Sequence, residues 1–406
     1  MVAEGFNVKM LILVNNVGST SLKFKLYSMP EEKVLCESKI ERIGSEKGSY
    51  LFQNCLSLYK NSIPNITIES YSKGIDLFLA NLTDKENGVI DSVNQIDGLG
   101  FKTVISKGYD GTVLLTDDVM QGMKDYLFIA PIHNKAYIDA IEQFKLILPN
   151  IPMIGVFETS FHQTIPLENK LYSLPYEWYQ EYGIARKGYH GASFSYVAKQ
   201  ARKDNDYKYI IGCHLGGSSS ICAIKDGKSF DSSFGFSLQT GLPHANRSGD
   251  ADSYIVPFLQ NEGLSWQEIR QGLDNRGGML GISGVSNDFI EIQQAIEVGN
   301  ERAKLAVDVF VVSIVRYIGA FSAEMGGLDK IVFTGGIGEN SAIIRKKVCD
   351  KLEHLSVKLD NFLNQQVPED GYISSKDSKV KVQVIKANEE LGIARETYNF
   401  LKDHNE

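Results

Sequence analysis

Hydrophobic residues in this chain fall into short aliphatic runs that stop at small residues, and the runs come in two similar sets. Met10–Asn15 is an unbroken apolar run that predicts a buried strand, and Ser21–Tyr27 alternates as the next strand of a meander. Far along the chain, Tyr209–His214 predicts a strand ending at Leu215–Ser220, followed by a strand over Ile221–Ile224 and a turn at Lys225–Lys228. Strand, Gly/Ser turn, strand, turn therefore recurs in each half, the pattern of a duplicated β-β-β-α unit. Further strands are predicted at Met153–Phe157 and Val380–Ile385. The spacing predicts helices over Ile66–Asn81, Thr116–Tyr126 and Glu389–Lys402, with another running from just after Ala130–Asn134 to Phe144. The most apolar stretch, Leu305–Ala320, is broken by Asp308 and Arg316 and reads as an amphipathic or buried helix too short to span a bilayer. Gln366–Ser378 is a polar loop, and a domain change is expected near residue 160.

Composition narrows the class. With 406 residues, 43% hydrophobic and 23% charged, the chain can bury two ordinary cores. A formal net charge of −8 with no long basic run argues against nucleic acid or an anionic membrane as partner. The five cysteines form no C-x-x-C pair, which argues against a disulfide framework or a zinc site and fits a reducing cytoplasm. The first residues carry acid and no apolar core, unlike a signal peptide.

The candidate chemistry sits where the apolar runs stop. Asn16, Ser19, Ser21 and Lys23 put an amide, two hydroxyls and an ammonium in one turn, suited to phosphates and Mg2+. Read alone, the same residues make a β-hairpin with a solvated lysine. His214–Ser218 is a second Gly/Ser turn, which by itself is equally a tight hairpin. Gly335–Asn340 is a third, between a buried strand and a basic helix starting near Ser341, able to hold an anion or lie against a nucleoside. Asp226-Gly227-Lys228-Ser229 imitates a phosphate loop, but Cys222 stands where the leading glycine belongs, so it reads as a hairpin turn. Arg247, in a polar kinked loop, can grip phosphate or carboxylate oxygens or simply pair at the surface. His190, between Tyr189 and Gly191, can aim an imidazole at a ligand or be structural. Glu158 and Glu389 are candidate Mg2+ or base carboxylates, or helix-capping acids.

Taken in order, N-x-G-S-T-S-L-K, A-P-I-H-N, F-H-Q-T-I-P, L-P-Y-E-W-Y, G-Y-H-G, M-L-G-I-S-G, F-T-G-G-I-G-E-N-S and N-E-E-L-x-I-A-R resemble the acetate and propionate kinase family over Met10 to Lys402. The resemblance implies an α/β fold of two duplicated actin/Hsp70-like (ribonuclease H-like) domains with a nucleotide cleft between them. It implies an acid- and phosphate-binding domain over 9–159 plus 387–403, and a nucleotide-binding and dimerisation domain over 160–386. The reaction it implies is Mg2+-dependent phosphoryl transfer between ATP and a short-chain carboxylate, giving ADP and an acyl phosphate, in a cytoplasmic homodimer.

By the same resemblance, Asn16 and Glu389 bind Mg2+, while Ser19, Ser21 and Lys23 handle phosphates. His190 and Arg247 stabilise the transferring group, and Glu158 matches the catalytic aspartate. Lys102 matches the acid-binding arginine; Val104, Ile132, Tyr189 and Leu238 match the pocket for the alkyl group. The nucleotide is lined by His214, Leu215, Gly216, Gly217 and Ser218, by Asp288, Phe289 and Ile290, and by Gly336, Ile337, Gly338, Glu339 and Asn340.

Departures from the pattern gather where acid is handled. Lysine for arginine at 102 keeps the charge and loses the planar fork, and glutamate for aspartate at 158 adds roughly 1.5 Å of reach. Gly217, Phe194 and Ile290 replace the family's Asn, His and Arg. Two explanations compete: Lys102 and Glu158 have shifted together in a working kinase, or acid activation is lost and the chain is an ATPase or regulatory nucleotide binder. A kinase for a different acid, such as butyrate, would share the chemistry and differ in the pocket.

Overall fold

The computed structural model describes residues 8–18 and 20–404, apart from the side chains of residues 131–133. The chain groups into two units, residues 1–160 with 388–406 and residues 161–387.

In the first unit, β1 (Met10–Gly18), β2 (Ser21–Met29), β3 (Lys33–Glu41), β4 (Gly48–Asn54) and β5 (Lys60–Ile66) form an antiparallel meander. β6 (Gly98–Thr103), β7 (Thr112–Leu114) and β8 (Met153–Phe157) extend the sheet beyond β1, in the order β5-β4-β3-β2-β1-β6-β8-β7. β6 runs parallel to both β1 and β8. Two-residue alternation decides what covers each face. On β6, Phe101 packs edge-on against Phe144 of the helix Pro131–Ile147, at 5.4 Å between ring centres. Gly98 and Gly100 turn the other way, so close under the closing helix Glu389–His404 that a Cβ would meet Leu401 and Thr397 at 2.4 Å.

Several predicted boundaries move. β1 runs past Asn15 because the hairpin stays paired to Gly18 and Ser21, and β2 runs past Tyr27 because Ser28 and Met29 pair with Leu11 and Met10. The helix expected from Ile66 begins at Tyr71 instead. Ile66 is still paired with Gly48 in the sheet, and Ser70 caps the helix by accepting from the Lys73 N–H. Ala130–Asn134 does not precede the next helix but opens it, with Pro131 in the first turn where its missing N–H costs nothing.

In the second unit, β9 (Tyr209–His214), β10 (Ser220–Lys225) and β11 (Lys228–Ser232) form a meander, and β12 (Lys330–Thr334) and β13 (Lys381–Val384) add in parallel, in the order β11-β10-β9-β12-β13. The β10–β11 turn is Asp226-Gly227, both at positive φ (52° and 78°), so the imitation phosphate loop is a hairpin tip. Ile211, Ala223, Ile331 and Val382 face the long helix Glu301–Met325. Ile210, Cys222, Ile224 and Val332 face the helix Gly191–Ala201 through Phe194 and Val197. The long helix has 25 residues, more than predicted, and by length and composition it could cross a bilayer. Here its face from Ala303 to Met325 is built into the core of the second unit.

A meander followed by two parallel strands thus occurs twice, as β3-β2-β1-β6-β8 and as β11-β10-β9-β12-β13. This is the mixed α/β duplication expected from the alternating runs.

Candidate active site

In the first unit, sheet parity assembles the charged residues. Lys102 shares the face of Gly98 and Gly100, under the closing helix, and is paired across β6–β8 with Val156. Glu158 lies two residues beyond Val156, its N–H donating to the Thr103 carbonyl at 2.8 Å, so it projects to the same face. Glu389 opens the closing helix. The Lys102 ammonium lies 2.9 Å from Glu158 Oε1 and 2.6 Å from Glu389 Oε2, with the three side chains 19%, 8% and 17% exposed. Burial opposes the lysine's charge, but the two carboxylates outweigh it and hold Lys102 well above its ordinary range. Beside them the buried Tyr137 hydroxyl donates to Asn16 Oδ1 at 3.4 Å.

Lys23 is exposed on β2 and Ser21 is half-buried at its start. A Cβ on Gly18 would meet Ser21 Oγ at 2.5 Å, so a side chain there would have to turn the serine aside. Val104 is buried just past β6. Ser19 and the Ile132 side chain lie outside the described residues.

In the second unit the G-Y-H-G turn is built on His162. Gly188 has φ +68°, and a Cβ there would meet His162 Cγ at 2.4 Å. His162 Nε2 bonds the Tyr189 carbonyl at 2.8 Å, which requires the proton on Nε2 and leaves Nδ1 to accept from Ser229 Oγ, also at 2.8 Å. His190 then stands at φ 59° at the head of the helix Gly191–Ala201. Its Nδ1 bonds Ser220 Oγ at 2.8 Å, and its ring stacks on His214 at 4.1 Å between centres. His214 is held in turn by Ser193 Oγ at 2.9 Å.

Arg247 is fixed to the Gly/Ser turn that follows β9. It donates through Nη2 to Ser218 Oγ at 2.7 Å and through Nη1 to the Leu238 carbonyl at 2.8 Å. Burial lowers its guanidinium to about 10, so it stays charged at neutral pH. With Ser218 and Ser220 both at the head of β10, the structure brings Arg247 and His190 to one strand end. Tyr189 is turned inward, its hydroxyl donating to the Phe236 carbonyl at 3.0 Å.

A cavity of about 590 Å3 in this unit is lined by Gly216 and Gly217, by Asp288, Phe289 and Ile290, and by Gly336, Ile337 and Asn340, all singled out from sequence. Other residues expected there do different work. Leu215 is fully buried in the core, and only its carbonyl serves the site, accepting from the Ile337 and Gly338 N–H groups at 2.8 and 3.2 Å. Gly335–Asn340 is itself a short helix rather than a turn, Ser341 capping the next one. Glu339 faces away from this cavity, its Oε1 accepting from Gly335 N at 3.0 Å and Ala387 N at 2.9 Å. His214 and Ser218 support His190 and Arg247 instead of lining the wall.

Sequence reasoning missed Pro243, His244, Ala245, Met279, Asn287, Gln293 and Phe310 in the lining. His244 sits three residues before Arg247 and accepts the Ser219 N–H at 3.1 Å, so the same loop carried its signal. Phe310 comes from the long helix and has no local signal.

The acetokinase family model matches residues 11–395. The chain belongs to the acetokinase family. The acetate kinase of Treponema denticola is 44% identical over 404 residues, spanning 97% of this chain and 100% of that protein. Among solved structures, the Porphyromonas gingivalis acetate kinase superposes with a TM-score of 0.84 at 36% identity, covering 97% of this chain and 100% of that one. A propionate kinase from Francisella tularensis superposes at 0.85 with 34% identity, covering 96% and 99%. Lys102 and Glu158, which the resemblance sets apart, are joined at 2.9 Å in the structure. Ile290, where the resemblance gives arginine, is 64% exposed at the cavity wall and makes it more apolar.

Proposed function

We propose that this acetokinase transfers the terminal phosphoryl group of ATP to a short-chain carboxylate, giving ADP and an acyl phosphate, and runs in both directions. A carboxylate oxygen forms the new bond to phosphorus, and the bridging oxygen leaves with its electron pair on ADP. A carboxylate needs no deprotonation at neutral pH, so catalysis rests on alignment and on charge at the equatorial oxygens. The observation that carries the reading is Arg247 and His190 held at one strand end beside a cavity lined by two glycine-rich segments. Their cationic and polar hydrogens suit charge that builds in transfer.

The oxygen donors Asn16, Glu158 and Glu389 fit Mg2+, which takes one or two carboxylates together with substrate phosphates. The Lys102 ammonium already resting on both carboxylates stands in for a cation there. Asn16 and Glu389 would hold the metal, which when bound would neutralise phosphate charge. Ser19, Ser21 and Lys23 would handle the phosphates, and Lys102, with the buried Val104 near it, would receive the acid. The nucleotide would take the 590 Å3 cavity. We read the chain as a cytoplasmic homodimer through the second unit, where Tyr254, Phe258 and Trp266 leave large apolar side chains exposed; sedimentation would show a doubled mass.

The test is trapping of acyl phosphate as hydroxamate with Mg2+-ATP and acids from formate to valerate. Product with one or more short acids is expected, with chain length reporting the pocket. No product with any acid, despite ATP binding, would overturn the reading in favour of a redirected nucleotide binder.

A further inference from the structure

A second cavity in the second unit, of about 510 Å3, lies against the short helix Gly335–Asn340. Asn340 lines both cavities, and Glu339, turned away from the larger one, lines this one. The rest of its wall comes from the end of the helix Gly191–Ala201 and the residues after it, from residues 367–370, and from the end of β13. These side chains have one kind of unmet demand, for positive charge and hydrogen-bond donors. Asp204, Glu339, Glu369 and Asp370 stand against Lys203 and Lys386, an excess of two negative charges. The buried Lys330 donates to the Tyr372 hydroxyl at 2.8 Å, and that hydroxyl donates to Asp204 at 3.1 Å. Even with this ammonium counted, an excess of one negative charge remains. Gln383, 6% exposed, also belongs to the wall. Its Nε2 donates to the Asp370 carbonyl at 2.6 Å, and its buried Oε1 has no partner among the described residues, a costly state for an acceptor. Val367, Pro368 and Val384 give the same wall an apolar part. Among the described residues no three acids, histidines or cysteines converge closely enough to hold a metal ion. Separated positive charges joined by hydrocarbon therefore match this wall better than a single cation.

We propose that this cavity binds a linear aliphatic polyamine, and that the bound amine, by holding Glu339, raises the affinity of the larger cavity for nucleotide. The ammonium groups meet the carboxylates, the methylenes lie on Val367 and Pro368, and one N–H supplies Gln383 Oε1. Glu339 already ties the Gly335 and Ala387 N–H groups through Oε1. An ammonium on its other oxygen fixes the short helix that presents Gly336, Ile337 and Asn340 to the larger cavity. A wall held in place beforehand costs less to order when nucleotide binds, so amine and nucleotide each raise the other's affinity by the same factor. The link rests on the reading of the 590 Å3 cavity as the nucleotide site, whereas amine binding does not.

The experiment is calorimetric titration of the full-length protein with spermidine, and with ADP in the presence and absence of saturating spermidine. One spermidine per chain is expected, with ADP bound about fivefold or more tighter beside it. Glu369→Lys reverses one exposed charge and should weaken spermidine binding by about tenfold or more. It should also remove the effect of spermidine on ADP while leaving the affinity for ADP alone unchanged. Any complex of spermidine with ADP in solution is the same for both proteins. Gln383→Met tests the site from its buried side and should weaken spermidine as well. The proposal is overturned if spermidine shows no saturable binding, if neither variant weakens it, or if Mg2+ displaces it at equal concentration, since charge alone then draws the amine. Spermidine bound at this site with unchanged ADP affinity overturns the link. A folded parent that binds spermidine but no ADP removes the nucleotide reading of the larger cavity, and the link with it.

Discussion

At the scale of single residues, Arg247 shows how much of a role depends on what holds the side chain. A loop arginine is ordinarily a solvated charge, but Ser218 Oγ and the Leu238 carbonyl fix this one's Nη2 and Nη1 and burial removes its water. Arg247→Ala is therefore expected to lower kcat by about 10²- to 10³-fold, the usual loss of a transition-state charge donor. ADP binding, measured by calorimetry, should weaken far less. Equal losses in both would assign Arg247 to ground-state binding instead. Arg247 and His190 could be singled out from their residue types and loop settings, and Lys102 only through the family resemblance. Leu215 could not be assigned, since whether a residue beside a glycine turn offers its side chain or only its carbonyl depends on the helix packed over it.

Elements carry a second layer of support. The short helix Gly335–Asn340 contributes Gly336, Ile337 and Asn340 to the cavity, and Glu339 ties its first N–H to that of Ala387. Glu339→Ala leaves two backbone donors without their acceptor. A loss of about 0.5–1.5 kcal/mol is expected, since the Ala387 N–H is exposed to water, read as a lower denaturation midpoint, with weaker ADP affinity because the cavity wall loosens. Unchanged ADP affinity in the destabilised variant would separate the latch from the nucleotide site. The predicted strands at Met153–Phe157 and Tyr209–His214 match the observed ones to the residue, each being a short apolar run that stops at a polar side chain or a glycine-rich turn. The start of the helix at Tyr71 was hidden because Ile66 has a partner in β4, a pairing no local window contains.

On the scale of the whole molecule, buried ionisable groups set the pH response. Burial lowers His162 to about 4, and it is held neutral between Ser229 and the Tyr189 carbonyl. Below pH 6.5 the unfolded chain binds a proton at this residue that the folded chain refuses, so stability falls as pH drops from 6.5 toward 4. The His162 contribution lost across that window is on the order of 3 kcal/mol. Asp231 acts in the opposite sense: burial raises it to about 7, so its contribution declines as pH rises from 3.8 toward 7. The informative quantity is thus the difference between the parent and His162→Gln in urea unfolding at pH 7 and pH 5. The variant should lose less stability on acidification. An identical pH dependence would mean that His162 is protonated in the folded state.

The sequence by itself determined the α/β class, the duplicated strand pattern, the glycine-rich segments and the family, because these rest on local periodicity and on side chains whose chemistry has few substitutes. Tertiary structure alone decided that Lys102 is held by Glu158 and Glu389, the last of them from the far end of the chain. It also decided that His244 and Phe310 join the cavity wall, and that Glu339 is a latch. The physical reason is that periodicity fixes which face a residue occupies, whereas the partner on that face is chosen by whichever strand or helix packs there.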